Sequence, residues 1–146
     1  MDKHLSQQSA HVLEWPRLLE HLSQLAQSTM GSQRCRSMEL SPDLTTAERR
    51  QHETTEMARL EAGPDPVPAL GFPDIRDMLA RAAKSGVLDG QELRDCGLVL
   101  HLMEDLARFV ARHERDAPAL MQVAEPLRSI KTIRPVILAL DAAIQA

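Results

Sequence analysis

The stretch that decides the fold runs from Leu70 to Val110 and reads LGFPDIRDMLARAAKSGVLDGQELRDCGLVLHLMEDLARFV. Apolar residues recur in it at intervals of three and four, which is the period of a helix with one buried face. The pattern breaks at Ser85 and Gly86, where Gly86 can enter left-handed backbone at low cost. The stretch therefore predicts two helices joined by a tight turn.

Local signals place the ends of these two helices. Pro73 marks the start of the first, because proline is tolerated in a first helical turn. Asp89, with Glu92 three residues on, predicts an N-cap and capping box for the second. The second helix is predicted from residue 90 to residue 113, a length of about 35 Å at 1.5 Å per residue. Its predicted core-facing stripe comprises Leu93, Cys96, Val99, Leu100, Met103, Leu106, Ala107 and Val110.

Comparable signals predict further helices on both sides of this pair. Their predicted starts are Pro16, about Gly31, Thr45, Pro118 and Pro135. Thr45 and Glu48 form a T-x-x-E capping box, and Cys35 is expected to point inward from the second helix. The helix after Pro118 is expected to end near Ala124, because Pro126 interrupts the pattern.

Composition gives the fold class. Aromatic residues make up only 2% of the 146 residues, while helix-favouring residues such as leucine, alanine, arginine and glutamate dominate. We therefore predict an all-α, irregular bundle of about six helices over residues 11–146 as a single domain. Residues 1–10 are expected to form a disordered tail. Prolines on alternate positions at Pro64, Pro66 and Pro68 predict an extended connector over residues 63–71.

Charge and cysteine usage exclude several classes of protein. The formal net charge is −4, which disfavours a free-standing nucleic-acid binder. The two cysteines, Cys35 and Cys96, lie far apart and make neither a disulfide framework nor a zinc knuckle. No run approaches the roughly 20 apolar residues that span a bilayer. These features predict a cytoplasmic protein without a membrane partner.

Three groups of residues are candidates for chemistry, and each has a simpler explanation. A metal site at Asp95, Cys96, His101 and His113 fails on spacing, because positions 95 and 101 do not share one helix face. Paired carboxylates at Glu104 and Asp105 point to different faces, and those at Asp74 and Asp77 lie in a first helical turn, where the dipole favours acids. Cys35 lacks a histidine partner, so a structural thiol is expected. We predict no catalytic, metal or cofactor-binding residue and no small-molecule substrate.

Three arginines form the one candidate contact with nucleic acid. Arg108, Arg112 and Arg115 stand at intervals of four and three, which suits phosphate contacts or pairing with acids. Glu104 precedes Arg108 by four residues and is a predicted partner, so a salt-bridged surface is the favoured interpretation and nucleic-acid contact the alternative. A GxxxxGK[ST] loop is absent, so the chain alone cannot hydrolyse a nucleotide by that route.

Three segments in order resemble the N-terminal domain of MutS-family ATPases of the second type. VLEWPRLLEHLSQLAQSTMGSQ resembles the family's opening helix, and SPDLTTAERRQHETTEMARL resembles its second segment. LGFPDIRDMLARAAKSGVLDGQEL is similar to the most distinctive element, which ends in G-G-V-L-x-x-x-E-L. Ser85 stands where the family has the first glycine of that pair. The resemblance covers residues 11–146.

The resemblance implies a role within a larger protein. In the family this region precedes a lever and clamp, an ABC-type ATPase domain that binds ATP and magnesium, and often a small nuclease domain. The parent would be a dimeric ATPase of DNA repair, acting on branched DNA to restrain recombination, or acting on collided ribosomes. This chain would be its non-catalytic helical core region, with the rest of the parent and its dimer mate as partners.

Two alternatives follow for the chain itself. The apolar pattern is still running at Ala146, which leads us to expect that the native protein continues. The alternative is a stand-alone helical interaction module that dimerises through an exposed leucine and methionine face.

Overall fold

A computed structural model describes residue 9 and residues 11–41, 43–129 and 133–145, and it confirms the predicted all-α fold. Within these ranges there are seven helices and no strand. The helices are α1 Trp15–Leu25, α2 Thr29–Arg36, α3 Leu44–Glu61, α4 Arg76–Ala82, α5 Gly90–Arg112, α6 Pro118–Ser129 and α7 Ile133–Gln145. The predicted disordered tail lies outside the described residues, apart from residue 9.

The chain divides into two compact units, Met1–His52 and Glu53–Ala146. The division falls within α3, and the connector predicted over residues 63–71 belongs to the second unit. Its first three residues, 63–65, form a bend, and residues 66–71 have no regular structure. The single helical domain expected from the sequence stays a prediction.

In the first unit, α1 packs against α2. Leu19 and Ser23 are the buried residues of α1. The Glu20 carboxylate accepts hydrogen bonds from the Arg36 guanidinium at 2.9 and 3.1 Å, which joins the two helices. The Trp15 indole N–H donates to the Met38 carbonyl at 3.0 Å and brings the chain after α2 back to the start of α1.

The start of α2 differs from the predicted one. The Ser28 hydroxyl accepts a hydrogen bond from the Gly31 N–H at 3.1 Å, so that the helix begins at Thr29. The N-cap serine satisfies an otherwise unpaired donor of the first turn, which fixes the helix start. Cys35 is half-buried, so the inward position expected for it is only partly reached.

The capping box predicted at Thr45 and Glu48 is wrong. α3 begins at Leu44, and the carboxylate of Asp43 accepts from the Thr46 N–H at 2.8 Å and from its hydroxyl at 3.0 Å. These hydrogen bonds, the backbone one first, lower the pKa of the Asp43 carboxyl. An ionised aspartate just before the helix is favoured over the threonine because its charge also interacts with the helix dipole.

Two apolar clusters form the core of the second unit, and α5 contributes to both. The first consists of Leu60, Phe109 and Ala117, with Val67, Val110 and Leu120 packed against it. The second consists of Ile75, Cys96 and Val99, with Phe72, Met78, Leu88, Met103 and Leu140 packed against it. Because Val67 comes from the connector, that segment packs against the core.

The predicted capping box of α5 is confirmed. The Asp89 carboxylate accepts from the N–H groups of Gln91 and Glu92 at 2.8 and 2.9 Å, and the Glu92 carboxylate accepts from the Asp89 N–H at 2.9 Å. The helix ends at Arg112, one residue short of the predicted end. Of its predicted stripe, Cys96 and Val99 are buried, whereas Leu100 is half-buried.

The turn between α4 and α5 uses its residues differently from the prediction. Ser85, and not Gly86, has the left-handed conformation, with φ of 61°. Gly86 N–H donates to the Arg81 carbonyl and Ser85 N–H to the Ala82 carbonyl, both at 2.9 Å. This is the Schellman arrangement that closes a helix C-terminus. Val87, which follows, is 87% exposed.

Three proline predictions need correction. α4 begins at Arg76, after Pro73 and not at it. Pro126 lies inside α6, which continues to Ser129, because a proline removes its own hydrogen bond to the preceding turn and leaves the others intact. α7 begins at Ile133, so Pro135 stands in its first turn, where N–H groups have no partner within the helix.

Candidate functional site

The structure separates the three arginines predicted as a nucleic-acid contact. Arg108 and Arg112 lie in the last turns of α5. Arg115 lies in the turn that follows, so the three do not form a continuous stripe on one helix. All three are exposed.

Arg108 is paired with acids on its own helix. Its guanidinium lies 2.7 Å from the Asp105 carboxylate and 3.5 Å from that of Glu104. The Glu104 carboxylate also accepts a hydrogen bond from Arg134 of α7 at 2.9 Å. The predicted pairing of Glu104 with Arg108 is therefore confirmed, and the same carboxylate joins α5 to α7.

Arg112 is paired with an acid of the connector. The Asp65 Oδ2 atom accepts from Arg112 Nε and Nη2 at 3.1 and 2.8 Å, and from His113 Nε2 at 2.9 Å. The hydrogen bond from Arg112, followed by that from His113, holds the pKa of the Asp65 carboxyl below its usual range. An ionised carboxylate therefore lies against the C-terminal end of α5, where the dipole alone would favour cations.

Phe109 contacts both of the residues that bind Asp65, Arg112 and His113. Its side chain is 2% exposed, the Arg112 guanidinium lies 5.7 Å from its ring centroid, and the His113 ring lies 4.8 Å away, tilted by 48°. An arginine at this distance from an aromatic face gains cation–π attraction. Of the three arginines, Arg115 alone has no ion pair or hydrogen bond to any described residue. The geometry favours the salt-bridged interpretation of Arg108 and Arg112, and nucleic-acid contact stays a prediction.

The residues considered for a metal site lie apart. Cys96 is buried in the second apolar cluster, and burial raises the pKa of its thiol. His101 is exposed and contacts Asp141 of α7 at 3.1 Å, whereas His113 contacts Asp65. No group of three or more histidine, cysteine, aspartate or glutamate side chains among the described residues is arranged to hold a metal ion.

The acids considered as catalytic pairs are partnered by arginine. Asp74 binds Arg76, and this hydrogen bond lowers the pKa of Asp74 to about 2. Asp105, like Glu104, contacts Arg108. Asp74 and Asp77 line an open depression of about 670 Å³, whose wall also carries the ion pair of Arg81 with Glu92. The depression mixes both signs of charge and is open to solvent, so its lining does not indicate a ligand.

One buried acid was missed by the sequence analysis. Glu56 of α3 is 8% exposed, and its carboxylate accepts from the N–H groups of Ala119 and Leu120 at 3.2 and 2.9 Å. It therefore caps the N-terminus of α6 from a distant part of the chain. The sequence contains only an indirect signal for this cap. Ala117, which precedes Pro118, has no side-chain oxygen with which to cap α6.

No helix among the described residues is long and apolar enough to cross a membrane.

The interactions at the candidate site are electrostatic. They consist of ion pairs and helix caps that hold the connector, α6 and α7 against their neighbours in the second unit.

Comparison with known proteins gives consistent matches to proteins named endonuclease MutS2. The chain is 28% identical over 110 residues to that of Symbiobacterium thermophilum, a match that covers 75% of this chain and 14% of that protein. It is 32% identical over 101 residues to that of Geobacillus kaustophilus, covering 69% and 13%. A third match, to a Geobacillus species, is 28% identical over 130 residues and covers 87% and 17%. The chain thus spans about one seventh of the length of the Symbiobacterium thermophilum protein. No family model and no solved structure matches it.

Proposed function

From the premise that the chain is a MutS2-related domain, we propose that it is the non-catalytic helical N-terminal domain of a MutS2-type ATPase. The observation that carries the proposal is the coverage of the matches. Seven proteins, all named endonuclease MutS2, match 68–87% of this chain but only 13–17% of their own length. In those relatives the matched region is one part of a larger polypeptide.

The proposed role is to couple a distant ATPase to a clamp on DNA or on a ribosome. Support comes from the second unit, where α5 contributes to both apolar clusters and carries ion pairs to the connector and to α7. Such an element can transmit displacement without itself holding reactive groups. ATP and magnesium would bind in the ATPase domain, and the partners would be the remaining domains, the dimer mate, and branched DNA or collided ribosomes in the cytoplasm.

The coupling proposal is tested in the native polypeptide that contains this sequence. ATP hydrolysis is measured with and without branched DNA, and with and without ribosomes, for the wild type and for Glu56→Gln, which weakens the cap of α6. Glu61→Gln, an exposed position at the end of the same helix, is the matched control. We expect Glu56→Gln to reduce stimulation while basal hydrolysis is unchanged. Unchanged stimulation, or an equal loss of basal hydrolysis, would contradict the coupling role.

A second candidate function, self-association, is favoured by one surface of the first unit. Leu18, Leu22 and Leu25 of α1 are 54%, 39% and 79% exposed, and their spacing places them on one side of the helix. Exposed apolar side chains grouped in this way are typical of protein contacts. This candidate predicts a dimer in sedimentation velocity that Leu22→Ser dissociates and Val87→Ser, at another exposed apolar position, does not. A monomeric wild type would exclude it.

A further inference from the structure

Arg112 and His113 converge on a single oxygen atom. Three donor nitrogens, two from Arg112 and one from His113, lie between 2.8 and 3.1 Å from Asp65 Oδ2. Because an ionised carboxylate can only accept, His113 Nε2 must carry the hydrogen in this contact. Charge-assisted donors from a guanidinium fork and an imidazole are the set that proteins use for carboxylate and phosphate oxygens.

The two donor residues also have contacts that do not involve Asp65. Both contact the ring of Phe109, the most deeply buried large side chain of the chain's described part. The backbone N–H of His113 also donates to the Val110 carbonyl at 3.0 Å, which fixes this residue at the end of α5. The pair of Arg112 and His113 is here called the anion site, and we expect the contacts with Phe109 to keep the two side chains in place when the acid is removed.

Asp65, in contrast, belongs to a segment without regular structure. The chain from residue 66 to residue 75 contains no helix or strand, and Val67 is the connector residue that packs against the first apolar cluster. Asp65 itself is 34% exposed. The anion thus comes from the irregular connector, whereas the donors stand at the end of α5. The Asp65 carboxylate is therefore the partner that another anion can replace.

We propose that Asp65 acts as an internal competitor that fills the anion site, and that a phosphodiester oxygen of nucleic acid takes its place. A neighbouring cation favours a chain of phosphates over a single carboxylate. Arg115 follows in the next turn, with no acid partner among the described residues, whereas Arg108 is already paired with Asp105 and Glu104. The proposal concerns contacts within this chain and is independent of its role in a MutS2-type protein.

The lowered pKa of Asp65 is consistent with this arrangement, since it shows the carboxylate held in its anionic form by the same donors. The arrangement also agrees with the net charge of −4, because an occupied site offers little attraction to a phosphate backbone. Removing the charge of Asp65 should therefore increase the affinity for nucleic acid by more than the change in net charge alone would.

The test measures binding of fluorescein-labelled duplex DNA, and of RNA of the same sequence, by fluorescence anisotropy at about 0.1 M salt. We expect Asp65→Asn to bind about tenfold more tightly than the wild type, as one charge-assisted hydrogen bond gained would produce. The gain should disappear in the double variant Asp65→Asn with Arg112→Gln. A gain with DNA alone, RNA alone or both identifies the source of the phosphodiester.

Asp105→Asn is the matched control, because it changes the net charge equally and leaves Arg108 with Glu104. Its affinity should stay within about twofold of the wild type. An unchanged affinity in Asp65→Asn, an equal gain in Asp105→Asn, or a gain that survives Arg112→Gln would each overturn the proposal.

A second measurement applies if Asp65→Asn does not melt cooperatively. Excess oligonucleotide added to the wild type must then shift the NMR signals of Arg112 Nε–H and the His113 imidazole. Unmoved signals would also overturn it.

Discussion

Ser85 carries the backbone strain of the turn that joins α4 to α5. Its φ of 61° lies in the left-handed region, which costs an L-residue with a side chain about 1 kcal/mol. Gly86 has ordinary φ but no room, because a Cβ there would lie 2.9 Å from the Arg81 carbonyl oxygen. The two positions therefore need glycine for different reasons, and only one of them has it.

The first prediction concerns this pair. Ser85→Gly should raise the free energy of unfolding by about 0.5 kcal/mol, since relief of strain exceeds the added chain entropy. Gly86→Ala should lower it by about 1 kcal/mol or more, because backbone must shift. Urea denaturation of the two variants measures both values. Stabilisation by Gly86→Ala, or destabilisation by Ser85→Gly, would contradict the geometry of the turn.

The second prediction concerns the pH dependence of the Asp65 contact. The pKa of Asp65 is lowered in the folded chain, by Arg112 first and His113 second, so its stabilising effect is complete above the ordinary carboxyl value of about 3.9. As pH falls below that value the unfolded chain takes up the proton first, and the effect is lost through the folded pKa. Asp65→Asn should therefore lower the melting temperature at pH 7.

The difference between Asp65→Asn and the wild type should shrink below about pH 4. Thermal melts followed by circular dichroism from pH 7 to about pH 2 test this directly. A melting difference that stays constant over the whole range would show that the carboxylate charge is not what stabilises the connector.

At the scale of elements, the caps show what a sequence can reveal. The Asp89 and Glu92 box was predictable because both partners lie within one turn of the helix that they cap. The same reasoning failed at Thr45, where Asp43 stands closer to the helix start and accepts from Thr46. The cap of α6 could not be predicted at all, because Glu56 and Ala119 are distant in sequence and meet only after the second unit packs.

The third prediction concerns this long-range cap. Glu56→Ala removes the acceptor of the Ala119 and Leu120 N–H groups and leaves both in a part-buried position. It should lower the free energy of unfolding by about 1–3 kcal/mol. Glu61→Ala, exposed on the same helix, should change it by less than about 0.5 kcal/mol. Equal effects of the two substitutions in urea denaturation would mean that Glu56 does not cap α6.

At the scale of the whole molecule, the fold class could be predicted from the sequence, whereas the boundary between the two compact units could not. Low aromatic content and three-and-four apolar spacing sufficed for an all-α chain. The division within α3 carries no local signal, because that helix is continuous across it. The candidate site shows the same limit, since the pairing of Glu104 with Arg108 follows from helical spacing, whereas Asp65 reaches Arg112 only through the tertiary path of the connector.

The central claim, that this chain is a domain of a MutS2-type polypeptide, is tested most directly by the mass of the native protein that contains it. The chain as given has a mass of 16.3 kDa and covers about one seventh of its first relative. Intact-mass spectrometry of the protein purified from its own cells with an antibody against this sequence makes the measurement. We predict a polypeptide several times heavier than 16.3 kDa, with an ATP-binding glycine loop in the remainder. A native mass of 16.3 kDa would contradict the account.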